Sequence, residues 1–527
     1  MSATKESPYP ASAPGDTIRA RLERMLRATA RALPPGRAAL ALLALAAIYR
    51  LILLARGWPA LDSDEAVIGL MARHILHGER PTFFWGQDYM GPFEAYVAAL
   101  LFLLFGPSTF VLGLSALLLT LGFLAIVYAL GRAAYGSTVG LLALAWLVLS
   151  PPFFTLRQLA PIGGYQELLL LGGVIVLGVW SRLRLPDTRP TDRASWLRCI
   201  ALYAALGYLA GLGFWSDLLI LPVLLVAAGA LVIGRWREVI SLAGVALALA
   251  FIIGAWPYIS FNIATGNATY RQLSHQNNPA GWPIQTFGML SAGLPVVGGS
   301  PHICITQGNI WDSYPPSMAT LTAKNDLTCQ APNILISLAA LTLLGVVTWQ
   351  LGRWLWVWLR QAPLLARGRD WLTRRGARIP PATEADAAWR AAEDTARERA
   401  RRWLRAMLLG IALMTLVLFC ASRDAAHFQF TSARYLLPIY LATPLFVGVL
   451  WEAALIHATW KSRIIPLLAT LGLLWLLASS LYGAGQTLGY AADGARFGQP
   501  IVPVDRPIIA FMDVHHLTAY YTNDYWA

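Results

Sequence analysis

The chain has 527 residues, of which 57% are hydrophobic and only 13% charged, and its formal net charge is +13. This composition is more apolar than that of soluble globular proteins, so it excludes a soluble multidomain chain and indicates a membrane protein. A strong positive charge favours nucleic-acid binding in a soluble protein, but here the Arg residues are concentrated in particular loops, as the positive-inside rule requires. We therefore predict no nucleic-acid partner.

Mostly apolar segments recur along the whole chain, and a helix of about 20 such residues crosses a bilayer. They predict an all-α polytopic membrane protein with a basic cytoplasmic tail at residues 1–37 and a transmembrane domain at 38–483. The apolar segments fall at 38–56, 93–106, 107–131, 137–152, 166–182, 199–214, 218–234, 239–258, 332–351, 404–420, 433–451 and 464–483.

The number of crossings follows from where the Arg-rich loops must lie. The stretches 182–198, 235–237 and 353–405 belong in the cytoplasm, but counting every apolar segment as a crossing would put the first two outside. Segment 93–106 removes the conflict, because it is short, carries Glu94 near its start and ends at a Gly-Pro pair. We expect it to dip into the membrane interface without crossing. Eleven spans then place every basic loop in the cytoplasm. We therefore expect a bundle of about 11 to 13 transmembrane helices.

The same count assigns the long loops to the two sides of the membrane. The first outer loop, 57–108, contains interfacial helices, and a second long outer loop covers 259–331. Residues 484–527 are expected to form an outer-side tail that is either a truncated or a vestigial domain. The cytoplasmic basic insertion, 353–403, is expected to be an arm that faces solvent or lipid headgroups.

Cysteine and metal patterns are sparse in this sequence. Cys304 and Cys329 share the outer loop 259–331, so we expect a disulfide between them if that loop is outside the cytoplasm. No Cys/His set has zinc spacing, and no Gly-rich phosphate loop of the nucleotide-binding type occurs. A divalent metal is compatible with the outer carboxylates, and no cofactor is predicted as certain.

Three carboxylates, Asp62, Asp64 and Glu65, follow the first apolar segment and open an amphipathic stretch. Asp62 and Glu65 have the spacing of a capping box, which would explain two of them. Asp64 is left over, with only about 0.3 to 1 kcal/mol to gain from the helix dipole. An ionised carboxylate at the membrane edge is suited to accept a proton from a hydroxyl group or to bind a cation. Two roles for Asp64 therefore stay open, catalysis and helix capping alone.

On the eleven-span count, the unusual polar residues lie on the outer side. Arg157 and Arg434 lie there although Arg residues prefer cytoplasmic loops. An Arg on the outer side can bind a phosphate through two hydrogen bonds, and it can equally snorkel to the membrane surface or cap a helix. Asp217 lies in a turn between two spans, and His427 lies in a loop. The substrate-pocket candidates are Gln87, Glu94, Tyr165, Glu167, Asp217, Asn262, His427 and Tyr435.

Five stretches of the sequence recur together in one known family. They are the Asp64-Glu65 pair with its following helix, Gly-Gln-x-Tyr-x-Gly at 86–91, Leu-Phe-Gly-Pro-Ser at 104–108, residues 257–266, and Arg-Tyr-Leu-Leu-Pro at 434–438. The acidic motif with its helix is the most specific of them. Together they resemble the GT-C superfamily of integral membrane glycosyltransferases, in particular the protein O-mannosyltransferases and the aminoarabinose transferases of lipid A.

The resemblance implies a GT-C-type bundle and a donor sugar carried on polyprenyl phosphate. It assigns Asp64 as the base or acceptor-orienting group, with Glu65 beside it and Asp62 as an extra carboxylate. Arg157 and Arg434 are then candidates for binding the donor phosphate. The sequence departs from the lipid A enzymes at Asp217, where those enzymes have a Lys, so a phosphate clamp is not expected at that turn.

Together, these features predict a hexosyl or pentosyl transferase that moves a monosaccharide from polyprenyl phosphate to an acceptor. The acceptor would be a glycan, a lipid or a protein on the extracytoplasmic face of a bacterial plasma membrane, and the N-terminus would be cytoplasmic. One alternative is a flippase or transporter of lipid-linked sugars that uses the same carboxylates for ion coupling. The polar residues cluster on one side, and no inverted repeat is visible, which disfavours that alternative. Another is an inert protein of this fold that binds lipid-linked sugar.

Overall fold

The computed structural model describes residues 34–59, 63–150, 152–185, 192–276, 286, 289–298, 327–361, 382–421, 432–455 and 464–492. Within these ranges the chain is helical and contains no β-strand, which confirms the all-α prediction. The α-helices are α1 (Pro35–Ala55), α2 (Ser63–Leu76), α3 (Phe93–Phe105), α4 (Thr109–Tyr135), α5 (Ser137–Val148), α6 (Pro152–Leu159), α7 (Tyr165–Leu183), α8 (Arg193–Ser216), α9 (Leu221–Val239), α10 (Leu242–Gly254), α11 (Trp256–Thr265), α12 (Ala268–Gln276), α13 (Leu294–Val297), α14 (Leu327–Gln361), α15 (Ala382–Ala421), α16 (Thr443–Ala454) and α17 (Ile464–Ala492).

Shorter helical turns complete the chain path between these helices. The 3₁₀ helix Leu218–Ile220 joins α8 to α9, the π-helix Met289–Gly293 precedes α13, and the 3₁₀ helix Ser432–Ala442 leads into α16. The last of these is unusually long for a 3₁₀ helix, which rarely exceeds four residues. It carries Arg434 and Tyr435.

The described residues contain nine helices that are long and apolar enough to cross a membrane, or eleven if each of two bent helix pairs is one span. The pair α10 and α11 bends by 63°, and the pair α5 and α6 bends by 82°. A proline stands at the start of the second helix of each pair, Pro257 in α11 and Pro152 in α6, where its missing N–H breaks the backbone ladder. The upper count equals the eleven spans predicted from the charges, so the chain is a polytopic integral membrane protein.

Helix α3 has only 13 residues and falls in the short apolar class that does not reach across a bilayer. Its face with Ala95, Ala98 and Phe102 is buried against α2 and α4. Its other face exposes Leu103 and Leu104, at 69% and 64% of their surface. This division fits a helix lying along the side of the bundle at the membrane interface, as its sequence predicts.

Ion pairs and cation–π contacts join the helix ends at one end of the bundle. Arg182 donates from Nε to Glu238 at 2.6 Å, and the hydroxyl of Tyr203 donates to the same carboxylate at 3.0 Å. Arg405 donates to Glu452 at 2.9 Å and lies 3.9 Å from the ring centroid of Tyr135. We call this the basic end. The opposite end, which carries Glu94, Glu167 and Asp217, is called the carboxylate end.

Candidate functional site

The centre of the carboxylate end is a turn of residues 160–164 between α6 and α7, called the glycine turn. Gly163 and Gly164 have φ values of +76° and +84°, a region that glycine enters without steric cost. The N–H of Gly163 donates to Oε2 of Glu94 at 2.9 Å, and the N–H of Gly164 donates to Oε1 of Glu167 at 2.8 Å. Two consecutive amides are therefore held by carboxylates from two different helices.

Both of these carboxylates are completely buried, and each has a serine hydroxyl as a second donor. Ser115 of α4 donates to Glu94 at 3.3 Å, and Ser216 at the end of α8 donates to Glu167 at 3.2 Å. Burial raises the pKa of Glu94 well above its usual value, and the nearby negative charge of Glu167 raises it further. The N–H of Gly163 and the hydroxyl of Ser115 only partly oppose this rise.

Asp217 brings a third carboxylate to the same turn from the junction of α8 and α9. Its Oδ1 accepts from the N–H of Leu219 at 2.8 Å, so it caps the short 3₁₀ helix. Its Oδ2 lies directly against Gly164, where a β-carbon would collide with it. Burial raises the pKa of Asp217 to about 6, while the Leu219 N–H and the charge of Arg434 oppose the shift.

Two arginines and two tyrosines lie beside the carboxylates. Arg434 donates to the hydroxyl of Tyr435 at 3.0 Å, and its charge acts on both Tyr165 and Asp217. The guanidinium carbon of Arg157 lies 6.0 Å from the ring centroid of Tyr165, and only 4% of Arg157 is exposed. Positive charge from two separate elements is thus gathered around one buried tyrosine.

The loop after α2 docks onto this assembly through backbone contacts. The N–H of Gly91 donates to the carbonyls of Trp215 and Ser216, both at 2.9 Å, and the indole of Trp215 donates to Thr82 O at 2.7 Å. Gly91 has no room for a β-carbon, which would lie 2.6 Å from Trp215 O. The close approach explains a glycine at the end of the 86–91 motif.

Helix α2 lies against the same glycine turn. A β-carbon placed on Gly163 would stand 3.5 Å from Cδ1 of Ile68 and 3.6 Å from the methyl group of Met90. Asp64 is partly exposed in the first turn of α2, and Glu65 is 3% exposed. The acidic helix and the buried carboxylates therefore belong to one assembly, although the catalytic role of Asp64 stays a prediction.

The other predicted site residues divide into two groups. Gln87 accepts from the hydroxyl of Tyr89 at 2.8 Å, within the docked loop. Asn262 joins α11 to α12, because its Nδ2 donates to Thr269 Oγ1 at 2.9 Å and its Oδ1 accepts from the Thr269 N–H at 3.2 Å. Outside the described residues lie Asp62, His427, Cys304 and the side chain of Cys329.

Arg50 belongs to this end of the bundle as well, and no sequence motif singled it out as part of a site. It is fully buried in α1, and its guanidinium donates to the carbonyls of Leu147 and Val148 at 3.0 and 2.8 Å. It also donates from Nε to Oε1 of Gln158 at 3.1 Å. The available signal was a single Arg inside an otherwise apolar span, which is costly enough to need a reason.

The described part of the chain contains no group of three or more His, Cys, Asp and Glu residues that could hold a metal ion. Asp62, a member of the acidic motif, lies outside that part. A divalent metal therefore stays an open alternative for this end of the bundle.

The chain matches no protein-family model and no curated protein sequence. It is similar to the solved structure of ArnT from Cupriavidus metallidurans bound to undecaprenyl phosphate, at 14% identity and a TM-score of 0.44, covering 90% of this chain and 79% of that one. It is also similar to the oligosaccharyltransferase AglB from Archaeoglobus fulgidus in complex with an inhibitory peptide and a dolichol-phosphate, at 15% identity and a TM-score of 0.40. That match covers 92% of this chain but only 60% of AglB.

Proposed function

We propose that this protein is a membrane glycosyltransferase that moves a monosaccharide from a polyprenyl-phosphate donor to an acceptor at the carboxylate end. The observation that carries the proposal is the pair of largely buried arginines, Arg157 and Arg434, gathered around Tyr165 beside buried carboxylates. A guanidinium at a membrane edge is well suited to a phosphate on a lipid, because it binds phosphate through two parallel hydrogen bonds. The carboxylates supply groups that can take up a proton.

The proposed reaction is a single inverting displacement. Asp64 accepts the proton of the acceptor hydroxyl while the acceptor oxygen forms a bond to the anomeric carbon of the sugar. The bond from that carbon to the phosphate oxygen breaks, and its electron pair leaves with the polyprenyl phosphate. Arg157 and Arg434 stabilise the negative charge that develops on the leaving phosphate. Glu65 assists Asp64, and Asp62 is a further candidate.

Transport of lipid-linked sugar is the competing function. A coupled transporter is expected to hold its ionisable residues near the bilayer midplane, between two halves of the fold. In the described part of this chain, Glu94, Glu167 and Asp217 meet at one end of the bundle, around the glycine turn. Their position supports chemistry at a membrane surface.

The test is sugar transfer by purified protein in liposomes that contain radiolabelled undecaprenyl-phosphate hexoses. Asp64→Asn should lower turnover at least about 100-fold, because general-base catalysis contributes about 10² to 10⁴ to a rate. The matched control is Glu79→Gln, an exposed carboxylate after the same helix, which should stay within about twofold of wild type. Full turnover by the Asn variant would remove Asp64 as the base. Movement of the lipid-linked sugar without transfer would favour the transporter.

A further inference from the structure

A small cavity lies inside the bundle next to Arg157 and Tyr165. Its polar walls also include Thr120, Gln158 and Gln166, and it has room for about one water-sized group. Gln158 and Gln166 are each only 2% exposed. The hydrogen bonds of these two amides determine what the cavity can bind.

The amide of Gln158 is oriented by Arg50. Its Oε1 accepts from Nε and from Nη2 of Arg50, the former at 3.1 Å. Because a guanidinium can only donate, the atom that faces Arg50 must be the oxygen, and the other atom of the amide must be the NH₂ group. That nitrogen is buried and meets no acceptor among the residues that the structure describes.

The amide of Gln166 is fixed in the opposite sense. Its Nε2 donates to the carbonyl oxygens of Arg157 and Ala160, at 3.0 and 2.7 Å. Carbonyl oxygens can only accept, so this atom must be the nitrogen, and the remaining atom is Oε1. Across the described ranges, that oxygen has no donor either. The two glutamines that line the cavity therefore hold one unused donor and one unused acceptor, both buried.

We propose that this cavity is a subsite for a single hydroxyl group of the transferred monosaccharide. A hydroxyl both accepts and donates, so it can accept from Nε2 of Gln158 and donate to Oε1 of Gln166 at the same time. Arg50 is a positioning residue, because its two hydrogen bonds to Oε1 fix the orientation of the Gln158 amide. This inference rests on the proposed function, since it places the sugar beside Arg157, a proposed phosphate-binding residue.

Gln158→Glu is the most informative variant. It keeps an oxygen facing Arg50, and the added negative charge stands beside a guanidinium, so the fold should be as stable as wild type. The other side-chain atom, Nε2 in the wild type, changes from a donor to an acceptor. One hydroxyl hydrogen cannot serve both the new carboxylate and the oxygen of Gln166, so the sugar loses a bond. Asn267→Asp applies the same amide-to-carboxylate change at an exposed position and serves as the control.

The experiment measures binding of undecaprenyl phosphate, undecaprenyl-phosphate hexoses and their monodeoxy analogues to the purified protein. Wild type and the control should lose at least about tenfold in affinity for one monodeoxy analogue relative to its parent. In Gln158→Glu this ratio should fall to about one. The ratio compares two lipids with the same phosphate, so any effect of the new charge on phosphate binding cancels from it.

Three other outcomes overturn the inference. If Gln158→Glu keeps the wild-type discrimination, the two amides hold only a structural water. If the hexose lipids bind no better than undecaprenyl phosphate in wild type, the cavity makes no contact with a sugar, although the proposed function survives. If neither lipid binds, the proposed function fails and the subsite fails with it.

Discussion

Asp217 occupies a place where its ionised form is costly. Its pKa is raised from 3.8 to about 6, chiefly because it is buried, whereas Arg434 and the N–H of Leu219 favour the charged form. A rise of about two units corresponds to about 3 kcal/mol of preference for the protonated form in the folded state. A buried carboxylate of this kind, under the influence of Arg434, is a sensitive reporter of the charge at the carboxylate end.

The free energy of unfolding depends on pH because the folded and unfolded states bind the Asp217 proton with different affinities. The folded state binds the Asp217 proton more tightly than the unfolded chain, so this stabilisation is complete below about pH 4 and is lost as the pH rises through about 6. Asp217→Asn keeps the cap on Leu219 but cannot ionise. We expect the thermal midpoint in detergent to fall by a few degrees between pH 5 and pH 7 in wild type, and by clearly less in the variant. Equal falls in both proteins would show that Asp217 ionises without cost.

At the scale of the element, the glycine turn depends on two glycines in a left-handed conformation. Gly164→Ala adds a β-carbon that meets the Asp217 carboxylate and stands 3.2 Å from the sulfur of Met90. Gly106→Ala is the control for a β-carbon at positive φ, because Gly106 has a φ of +79° and nothing within 4 Å of a β-carbon. Its ψ is 156°, against −37° at Gly164, so each variant should lose about 1 to 3 kcal/mol from its own backbone strain. Gly164→Ala should in addition weaken binding of undecaprenyl-phosphate hexoses, since it displaces Asp217, and Gly106→Ala should not.

We expect the break between α5 and α6 to depend on Arg50. Helix α5 ends at Val148, and Arg50 donates to two of its last carbonyl groups, where the negative end of the helix dipole favours a cation. Arg50→Lys replaces a planar fork of five donors by one compact ammonium, so several of these bonds cannot form together. We expect it to lose about 2 kcal/mol or more of unfolding free energy, measured by denaturation in detergent. Arg56→Lys, at an exposed position further along the chain, should have no effect, and equal losses would rule out the capping role.

For the whole molecule, hydropathy and charge predicted most of the bundle. The spans are long apolar stretches, and the Arg-rich loops set their alternation, which left segment 93–106 as the one that does not cross. The contacts of Arg405 with Glu452 and of Arg182 with Glu238 join helix ends that this alternation places on the same side. The positions of the spans and the sides on which their ends lie both depend on local sequence, so a single sequence was sufficient to predict them.

The bends and the pairing of the site residues are tertiary properties. Segments 137–152 and 239–258 were each predicted as one span, but each bends at a proline-containing break. Glu94 was predicted as a pocket residue, yet its partner is the amide of Gly163, which is 69 residues away in the chain. No local pattern encodes such a contact. Arg50 was missed because its partners are carbonyl oxygens, which every residue carries.

The two ends of the bundle differ in charge, and this difference should set the orientation of the protein in the membrane. A loop rich in Arg crosses a membrane less readily than one rich in carboxylates, so the basic end should face the cytoplasm. Glu79 is exposed beyond α2 at the carboxylate end, and Arg401 is exposed on α15 at the basic end. In intact cells, a membrane-impermeant thiol reagent should label Glu79→Cys, and it should label Arg401→Cys only after the cells are opened. The native cysteines are replaced by Ser in both variants, and the reverse labelling pattern would place the proposed transfer site in the cytoplasm.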